Sequence, residues 1–204
     1  MNRRKDELPE RSFLVDIVLA SGSPRRAELL RQIKLPFTIQ VSSLDENSIK
    51  CRVPKEWVQQ LALAKAKDVA RFFKSGLVIG ADTIVLQDNE ILGKPRNVEE
   101  AKNMLNLLSG ATHQVLTGIA LVDALSGKTI TDVENTLVRF RELTEGEIDA
   151  YIASGEPMDK AGAYGIQGLG ALFVEGISGC YFNVVGLPLN RLAKNLKHFG
   201  VEIL

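Results

Sequence analysis

Two serines, a proline and two arginines fall within residues 21–26, directly after a short apolar run. The apolar run predicts a buried strand, and Ser23 followed by Pro24 is typical of a helix cap and a first helical residue. Free backbone N–H groups and the positive end of the helix dipole then lie at the end of the strand, where anions bind readily. Arg25 and Arg26 occupy a helical turn that favours acidic residues, and a bound anion would relieve that placement. The segment therefore predicts a phosphate site, with a capped helix and solvated arginines as the alternative.

Asp82 stands between two apolar runs, at residues 77–79 and 84–86. Carboxylates are seldom buried unless they are paired, hydrogen-bonded or bound to a metal. We interpret Asp82 as a functional residue at a sheet position where polar side chains converge. A tight turn between two strands is the alternative, since glycine and aspartate are ordinary turn residues.

Asp45 and Glu46 add two adjacent carboxylates after a predicted strand at residues 37–41. With Asp82 they can supply the hard oxygen ligands that Mg²⁺ and Mn²⁺ prefer, beside waters and substrate phosphates. A polar loop without a metal is the alternative. The residues alone leave both interpretations open.

Lys65 and Lys94 are candidate cations for the same site. Lys65 lies in a predicted helix, where a solvated lysine is the ordinary interpretation. Lys94 precedes Pro95, which restricts it to extended backbone and so directs its side chain.

Gln167 lies in a glycine-rich segment at residues 164–170. This is not the dinucleotide-binding motif, because the segment precedes a predicted strand at residues 171–174 and does not open a helix. An amide among glycines can meet the edge of a nucleobase at close backbone approach. A simple turn is the alternative.

Alternating strands and helices must position these residues. We predict strands at residues 17–19, 37–41, 77–79, 83–86, 115–122 and 128–140, and helices that begin at residues 24, 57, 98, 145 and 188. The strands at residues 115–122 and 128–140 flank Ser126 and Gly127 and predict an antiparallel hairpin. The pattern predicts an α/β fold with a mixed sheet flanked by helices.

The chain has 204 residues, 45% of them hydrophobic, which is enough to bury the core of one soluble domain. We predict a loose charged extension over residues 1–16 and a single domain over residues 17–204. The formal net charge is zero, so no global field attracts nucleic acid or an anionic membrane. We therefore expect neither a stable nucleic-acid complex nor membrane association.

Cys51 and Cys180 lack the spacing of a zinc site or a disulfide framework. The first sixteen residues contain no signal-peptide core, and no stretch is long enough to span a bilayer. We expect a cytoplasmic protein.

A set of short motifs follows one order along the chain. They are Ser21-Gly22-Ser23-Pro24-Arg25-Arg26, Asp45-Glu46, Lys65, Gly80-Ala81-Asp82-Thr83, Gly93-Lys94-Pro95, Leu108-Ser109-Gly110, and residues 156–162, 164–168 and 183–188. Together they resemble the Maf family of nucleoside triphosphate pyrophosphatases over about residues 14–200. The resemblance implies an inosine-triphosphatase-like α/β fold with two lobes around a central cleft. It also implies a divalent-metal-dependent cleavage of a nucleoside triphosphate to the monophosphate and pyrophosphate.

The resemblance also implies roles for residues. The catalytic residue is Asp82. The phosphate-binding residues are Ser21, Ser23, Arg25, Arg26, Lys65 and Lys94. The positions associated with base preference hold Arg25, Thr83 and Gln167, which resembles the branch that acts on dTTP and UTP and not the branch that acts on 7-methyl-GTP. An acidic position falls on Asp45, so the expected ligands of Mg²⁺ or Mn²⁺ are Asp45, Glu46 and Asp82.

A second function uses the same nucleotide site. The chain would then be a regulatory protein that binds a nucleoside triphosphate and acts on a partner in cell division, since the Maf name has been associated with septum inhibition. Release of pyrophosphate from free dTTP separates the two. A nucleic-acid-binding module is disfavoured by the zero net charge. A small nucleotide is the expected partner, and a homodimer is left open.

Overall fold

A mixed sheet lies at the centre of the computed structural model, which describes residues 15–49 and 51–204. Its strands are β1 (Ile17–Leu19), β2 (Thr38–Ile39), β3 (Leu77–Gln87), β4 (Glu90–Leu92), β5 (Thr112–Asp123), β6 (Thr129–Phe140) and β7 (Val174–Ser178). Their order is β2-β1-β3-β5-β6-β7, and β4 pairs with β3 outside this path. β1 runs parallel to β2 and β3, whereas the other pairs are antiparallel. The predicted α/β class with a mixed sheet is confirmed.

Helices flank this sheet, at α1 (Pro24–Gln32), α2 (Pro54–Ala70), α3 (Val98–Leu108), α4 (Glu145–Ala153), α5 (Tyr181–Val185) and α6 (Leu189–Lys197). Asn97 caps α3, where its side-chain oxygen accepts the Glu100 N–H at 2.8 Å. Thr144 and Glu147 form a capping box at α4. Pro188 precedes α6 as its cap, so the prediction that the helix begins at this residue was wrong by one position.

β3 is one continuous strand, although the sequence predicted two strands at residues 77–79 and 83–86. Asp82 lies in its middle and pairs with Gly118 of β5, in an unbroken antiparallel register. Nearly all of β3 is buried, because other elements cover both of its faces. The alternative of a turn at Asp82 is thereby excluded.

The predicted hairpin of β5 and β6 is confirmed, with Gly127 in the left-handed conformation at φ 70°. Two other strand predictions need correction. The strand predicted at residues 37–41 shortens to β2, and residues 171–174 belong mostly to a 3₁₀ helix, Leu169–Phe173, that precedes β7.

Buried side chains form separate cores along the long central strands. One core surrounds the first half of β3 and packs α1 and α6 against it, and a second surrounds its end and packs α3 and α4. A third lies between α2 and the sheet. The core with α1 and α6 forms the first lobe, and the core with α3 and α4 forms the second. Both lobes share β3 and β5, and a cleft opens between them.

The predicted extension lies outside the described residues as far as residue 14. The division into an extension and a single domain over residues 17–204 stays a prediction. None of the described helices is long and apolar enough to cross a lipid bilayer.

Candidate active site

The loop between β1 and α1 has the form expected of an anion site. Ser23 is the cap, with extended backbone (φ −73°, ψ 116°), and Pro24 is the first residue of α1. The Ser21 hydroxyl oxygen accepts the Ser23 N–H at 3.2 Å. The first turn holds no acidic residue, and the Ser23 side chain makes no capping hydrogen bond. The N–H groups at the start of the helix are thus available to an anion.

Arg26 connects this loop to two other parts of the cleft. Its Nε donates to the Gly186 carbonyl oxygen at 2.8 Å, Nη1 to Ser21 Oγ at 3.1 Å, and Nη2 to Thr83 Oγ1 at 3.0 Å. Burial lowers the pKa of the Arg26 guanidinium, and the charge of Asp82 opposes that shift. Three guanidinium N–H groups of Arg26 are already used in holding the loop in place. Only the remaining N–H groups can bind a phosphate.

Two glycines allow α2 to lie against the sheet beside Asp82. Gly118 is the direct partner of Asp82, and Gly80 lies two residues before it, so all three face the same side of the sheet. A Cβ on Gly80 would lie 2.2 Å from the Ala62 carbonyl oxygen, and one on Gly118 would lie 2.3 Å from that of Val58. Any side chain at either glycine would therefore push α2 away.

Where α2 lies close against the sheet, its residue Lys65 contacts two carboxylates. Its Nζ donates to Asp82 Oδ1 at 2.5 Å and lies 2.9 Å from Glu46 Oε1. The Lys65 and Asp82 side chains are 13% and 11% exposed, so each charge depends on the other. The ammonium fixes the position of a carboxylate that can accept a proton from water or bind a cation.

The predicted metal ligands do not form a cluster. Among the described residues, no three acidic, histidine or cysteine side chains are grouped so that they could hold a metal ion. Glu46 and Asp82 both contact Lys65, whereas Asp45 is not among the described residues that line the cleft. The assignment of Asp45, Glu46 and Asp82 as metal ligands therefore stays a prediction. Two carboxylates still suit Mg²⁺, which is usually bound by one or two of them together with waters and substrate phosphates.

Two lysines reach the cleft from the second lobe. Lys94 is exposed, and it makes no hydrogen bond or ion pair within the part of the chain that the structure describes. Lys160, for which the sequence predicted no role, donates from Nζ to the Glu156 carbonyl oxygen and to Asp159 Oδ1, both at 2.6 Å. Lys94 is therefore free to meet a substrate, whereas Lys160 stabilises its own turn.

The resemblance associates three residues with base preference, and two of them, Arg25 and Gln167, lie on different segments of the cleft wall. Arg25 Nη1 donates to Asp159 Oδ2 at 3.3 Å, which joins the first turn of α1 to the 3₁₀ turn Glu156–Asp159. Gln167 is exposed and lies in the loop that leads to the 3₁₀ helix Leu169–Phe173. The cleft thus contains both side chains.

The third of these residues, Thr83, uses its hydroxyl group within the protein. Thr117 Oγ1 donates its proton to the Asn183 carbonyl oxygen at 3.1 Å. Thr83 must therefore be the donor in its 2.9 Å contact with Thr117, and it also accepts from Arg26. Thr83 thus has no proton left to donate to a bound molecule, and its hydroxyl oxygen contacts Arg26.

These side chains line one cleft with a volume of about 650 Å³, a size typical of small-molecule sites. The predicted site residues that line it are Ser21, Ser23, Arg25, Arg26, Glu46, Lys65, Asp82, Thr83, Lys94 and Gln167. Sequence reasoning missed the cleft positions of Trp57, Asp159, Lys160 and Tyr164. The sequence placed Trp57 only at the start of a helix, and it attached no role to Lys160. Asp159 and Tyr164 contact Arg25 and His113, which are distant in sequence, so no local pattern predicts those contacts.

Residues 16–199 match the model of a family described as Maf-like protein. A dTTP/UTP pyrophosphatase of Bacillus cereus (strain AH187) is 54% identical over 187 residues, which cover 92% of this chain and 97% of the relative. A dTTP/UTP pyrophosphatase of Acetivibrio thermocellus is 53% identical over 198 residues, which cover 94% of this chain and 98% of the relative.

Among solved structures, a HAM1 protein from Coxiella burnetii matches 91% of this chain and 100% of its own, with a TM-score of 0.54 and 16% identity. At that identity the likeness shows the fold alone, and it agrees with the mixed α/β architecture described above.

Proposed function

This chain belongs to the Maf family, and on that premise we propose that it is a nucleoside triphosphate pyrophosphatase that hydrolyses dTTP and UTP to the monophosphate and pyrophosphate. The relatives that share more than half of their residues with it carry the name of this activity. Their similarity supports hydrolysis over the alternative of a purely regulatory nucleotide-binding protein in cell division.

The observation that carries the proposal is the Lys65–Asp82 pair, which faces the same cleft as the start of α1. A triphosphate needs several cations to offset its charge, and phosphoryl chemistry depends chiefly on such electrostatic positioning. Arg25, Lys94 and the helix N-terminus supply positive charge around this pair. One cleft thus combines a carboxylate base with a binding site for phosphates.

In this mechanism Asp82 accepts a proton from the water that attacks the α-phosphorus, while Lys65 holds the carboxylate in position. The bond between the α-phosphorus and the bridging oxygen breaks, and the β and γ phosphates leave together as pyrophosphate. Lys94 and the N–H groups at the start of α1 stabilise the charge that develops on this leaving group. The products are therefore a nucleoside monophosphate and pyrophosphate.

Asp82 and Glu46 are the residues that would hold a divalent cation, Mg²⁺ or Mn²⁺, in the substrate complex. When bound, the cation would supply positive charge that neutralises phosphate oxygens.

Base choice falls to Gln167 in this proposal. Its side-chain amide carries both a donor and an acceptor, which match the edge of thymine or uracil. Phosphate contacts carry no such information, so the amide provides the discrimination against purines. Arg25 and Thr83 contribute through the placement of the phosphate loop.

We place the enzyme in the cytoplasm, where its nucleotide substrates are found, as a monomer or a homodimer with no stable nucleic-acid partner. The zero net charge of the chain supports the absence of a nucleic-acid partner.

The test is a panel of nucleoside triphosphates incubated with the purified chain, with and without Mg²⁺ or Mn²⁺, followed by chromatography of an early time course. We expect dTMP or UMP and pyrophosphate as first products, and faster release from dTTP and UTP than from purine triphosphates. A nucleoside diphosphate as the first product would overturn the mechanism.

A further inference from the structure

Two side chains hold the loop that carries Gln167. A buried tyrosine binds the backbone before Gln167, and a carboxylate binds the backbone after it. We infer that Glu156 and Tyr151 are positioning residues for base selection: they fix the backbone of this loop so that the Gln167 amide faces the nucleobase. The inference rests on the proposed function, because it assigns the setting of the base-reading group within that site.

Glu156 holds the C-terminal side of the loop. Its Oε2 accepts the Leu169 N–H at 2.9 Å, and its Oε1 accepts the Gly170 N–H at 3.3 Å. Partial burial acts to raise the pKa of Glu156, but these hydrogen bonds and that from Tyr151 outweigh it and lower the pKa. The carboxylate thus binds the backbone N–H groups two and three residues after Gln167.

Tyr151 holds the N-terminal side. Its hydroxyl donates to Glu156 Oε1 at 2.9 Å and accepts the Gly165 N–H at 3.1 Å. The ring is buried and packs edge-on against Phe173, with 4.9 Å between the ring centroids. A hydrogen-bonded path thereby joins the backbone before Gln167 to the backbone after it.

The close fit of the glycines shows how little space the loop has. A Cβ on Gly168 would lie 2.3 Å from Glu156 Oε2, and one on Gly170 would lie 2.8 Å from the Tyr151 hydroxyl oxygen. Both glycines are thus needed for the backbone to approach this pair.

The Gln167 side chain makes no hydrogen bond within the described part of the chain. Its direction therefore depends on the backbone that carries it. Glu156 and Tyr151 hold that backbone from outside the loop, and within the loop the Gly168 N–H donates to the Gly165 carbonyl oxygen at 3.4 Å. The same 3₁₀ turn, Glu156–Asp159, also contacts Arg25 through Asp159. One turn thus sets the base loop relative to the phosphate helix.

The test compares three variants with the wild type. Glu156→Gln keeps the size of the side chain but has a single acceptor oxygen, so one of the two backbone N–H groups faces an NH₂ group. Tyr151→Phe keeps the packed ring and removes the hydroxyl. Glu175→Gln is the matched control, because Glu175 is an exposed carboxylate of the same lobe whose one ion pair among the described residues is with Arg139.

We expect the dTTP to dGTP ratio of kcat/KM to fall roughly tenfold in Glu156→Gln and in Tyr151→Phe, the scale of one lost hydrogen bond. The fall should come from a higher KM for dTTP, with kcat within about twofold of the wild type. Glu175→Gln should keep the wild-type ratio. Variants that keep that ratio while the wild type hydrolyses dTTP would overturn the inference.

Hydrogen exchange of the backbone amides gives a readout that does not depend on activity. The Leu169 and Gly170 amides should be protected in the wild type and should exchange roughly tenfold faster in Glu156→Gln. Unchanged exchange would also overturn the inference. A wild-type chain that shows this protection but releases no pyrophosphate from dTTP would instead refute the proposed function.

Discussion

Gly118 of β5 lies directly opposite Asp82 of β3, and the backbone of α2 occupies the space that a side chain at residue 118 would need. The absence of a Cβ at this position is therefore what allows Lys65 to reach the Asp82 carboxylate.

Gly118→Ala should destabilise the protein and lower its activity together. The added methyl group would lie 2.3 Å from the Val58 carbonyl oxygen, and overpacking of this kind costs about 1–3 kcal/mol of unfolding free energy. Denaturant unfolding measures the loss, and kcat/KM for dTTP measures the displacement of Lys65. Gly146→Ala in α4 is the control, since a Cβ there meets nothing within 4 Å. Equal behaviour of the two variants would contradict the account.

Lys65→Met should reduce kcat roughly a hundredfold, because it removes the group that positions Asp82 and neutralises charge at the site. Lys67→Met serves as the control, since Lys67 is an exposed lysine of the same helix. Steady-state kinetics with dTTP compares them. If the Lys65 variant matched the Lys67 variant, the ion pair would have no part in turnover.

Gln167→Ala should weaken the preference for dTTP and UTP over purine triphosphates by about 1–3 kcal/mol, the scale of a polar contact left unmade. The quantity to compare is the dTTP to dGTP ratio of kcat/KM. Gln40→Ala is the control, because Gln40 is exposed and outside the lining of the cleft. An unchanged ratio in the Gln167 variant would show that this loop does not contact the base.

His113 should make the stability of the protein fall in mild acid. Burial lowers the pKa of His113 to about 4, and its Nδ1 has no hydrogen-bond partner within the described residues. Below the ordinary pKa of about 6.5, the unfolded chain binds a proton that the folded chain does not. The unfolding free energy then falls as pH decreases, by up to about 1.4 kcal/mol per pH unit, until the folded state also takes up the proton near pH 4.

Denaturant unfolding at pH 7.5 and pH 5 tests this dependence. His113→Gln should lose less stability between the two pH values than the wild type does, whatever its absolute stability. The exposed His198 provides the control variant, His198→Gln, which should keep the wild-type loss. Equal losses in the His113 variant and the wild type would assign the acid dependence to other groups.

Much of the fold follows from local pattern. Pro24 after Ser23, Asn97 before α3, and Thr144 with Glu147 each mark a helix start through their own backbone chemistry. A short-range signal of this kind is complete within a few residues, so it can be found without the rest of the chain.

The arrangement of the site depends on contacts that no local pattern contains. Lys65 contacts Asp82 only because Gly80 and Gly118 leave space for α2 against the sheet. Gly118 is distant in sequence from both Lys65 and Asp82. Likewise, an ordinary turn residue such as Asp159 becomes part of the cleft through Arg25. Asp45 and Glu46 are adjacent in the sequence, but only Glu46 is among the described residues that line the cleft, so the three-carboxylate metal site stays a prediction.

The most direct test of the central claim is the rate of pyrophosphate release from dTTP by Asp82→Asn at saturating Mg²⁺. The amide has nearly the size of the carboxylate but cannot accept the proton of the attacking water, so the account predicts a loss of roughly a hundredfold or more in a protein that still unfolds cooperatively. A folded Asp82→Asn protein that releases pyrophosphate at the wild-type rate would contradict the account.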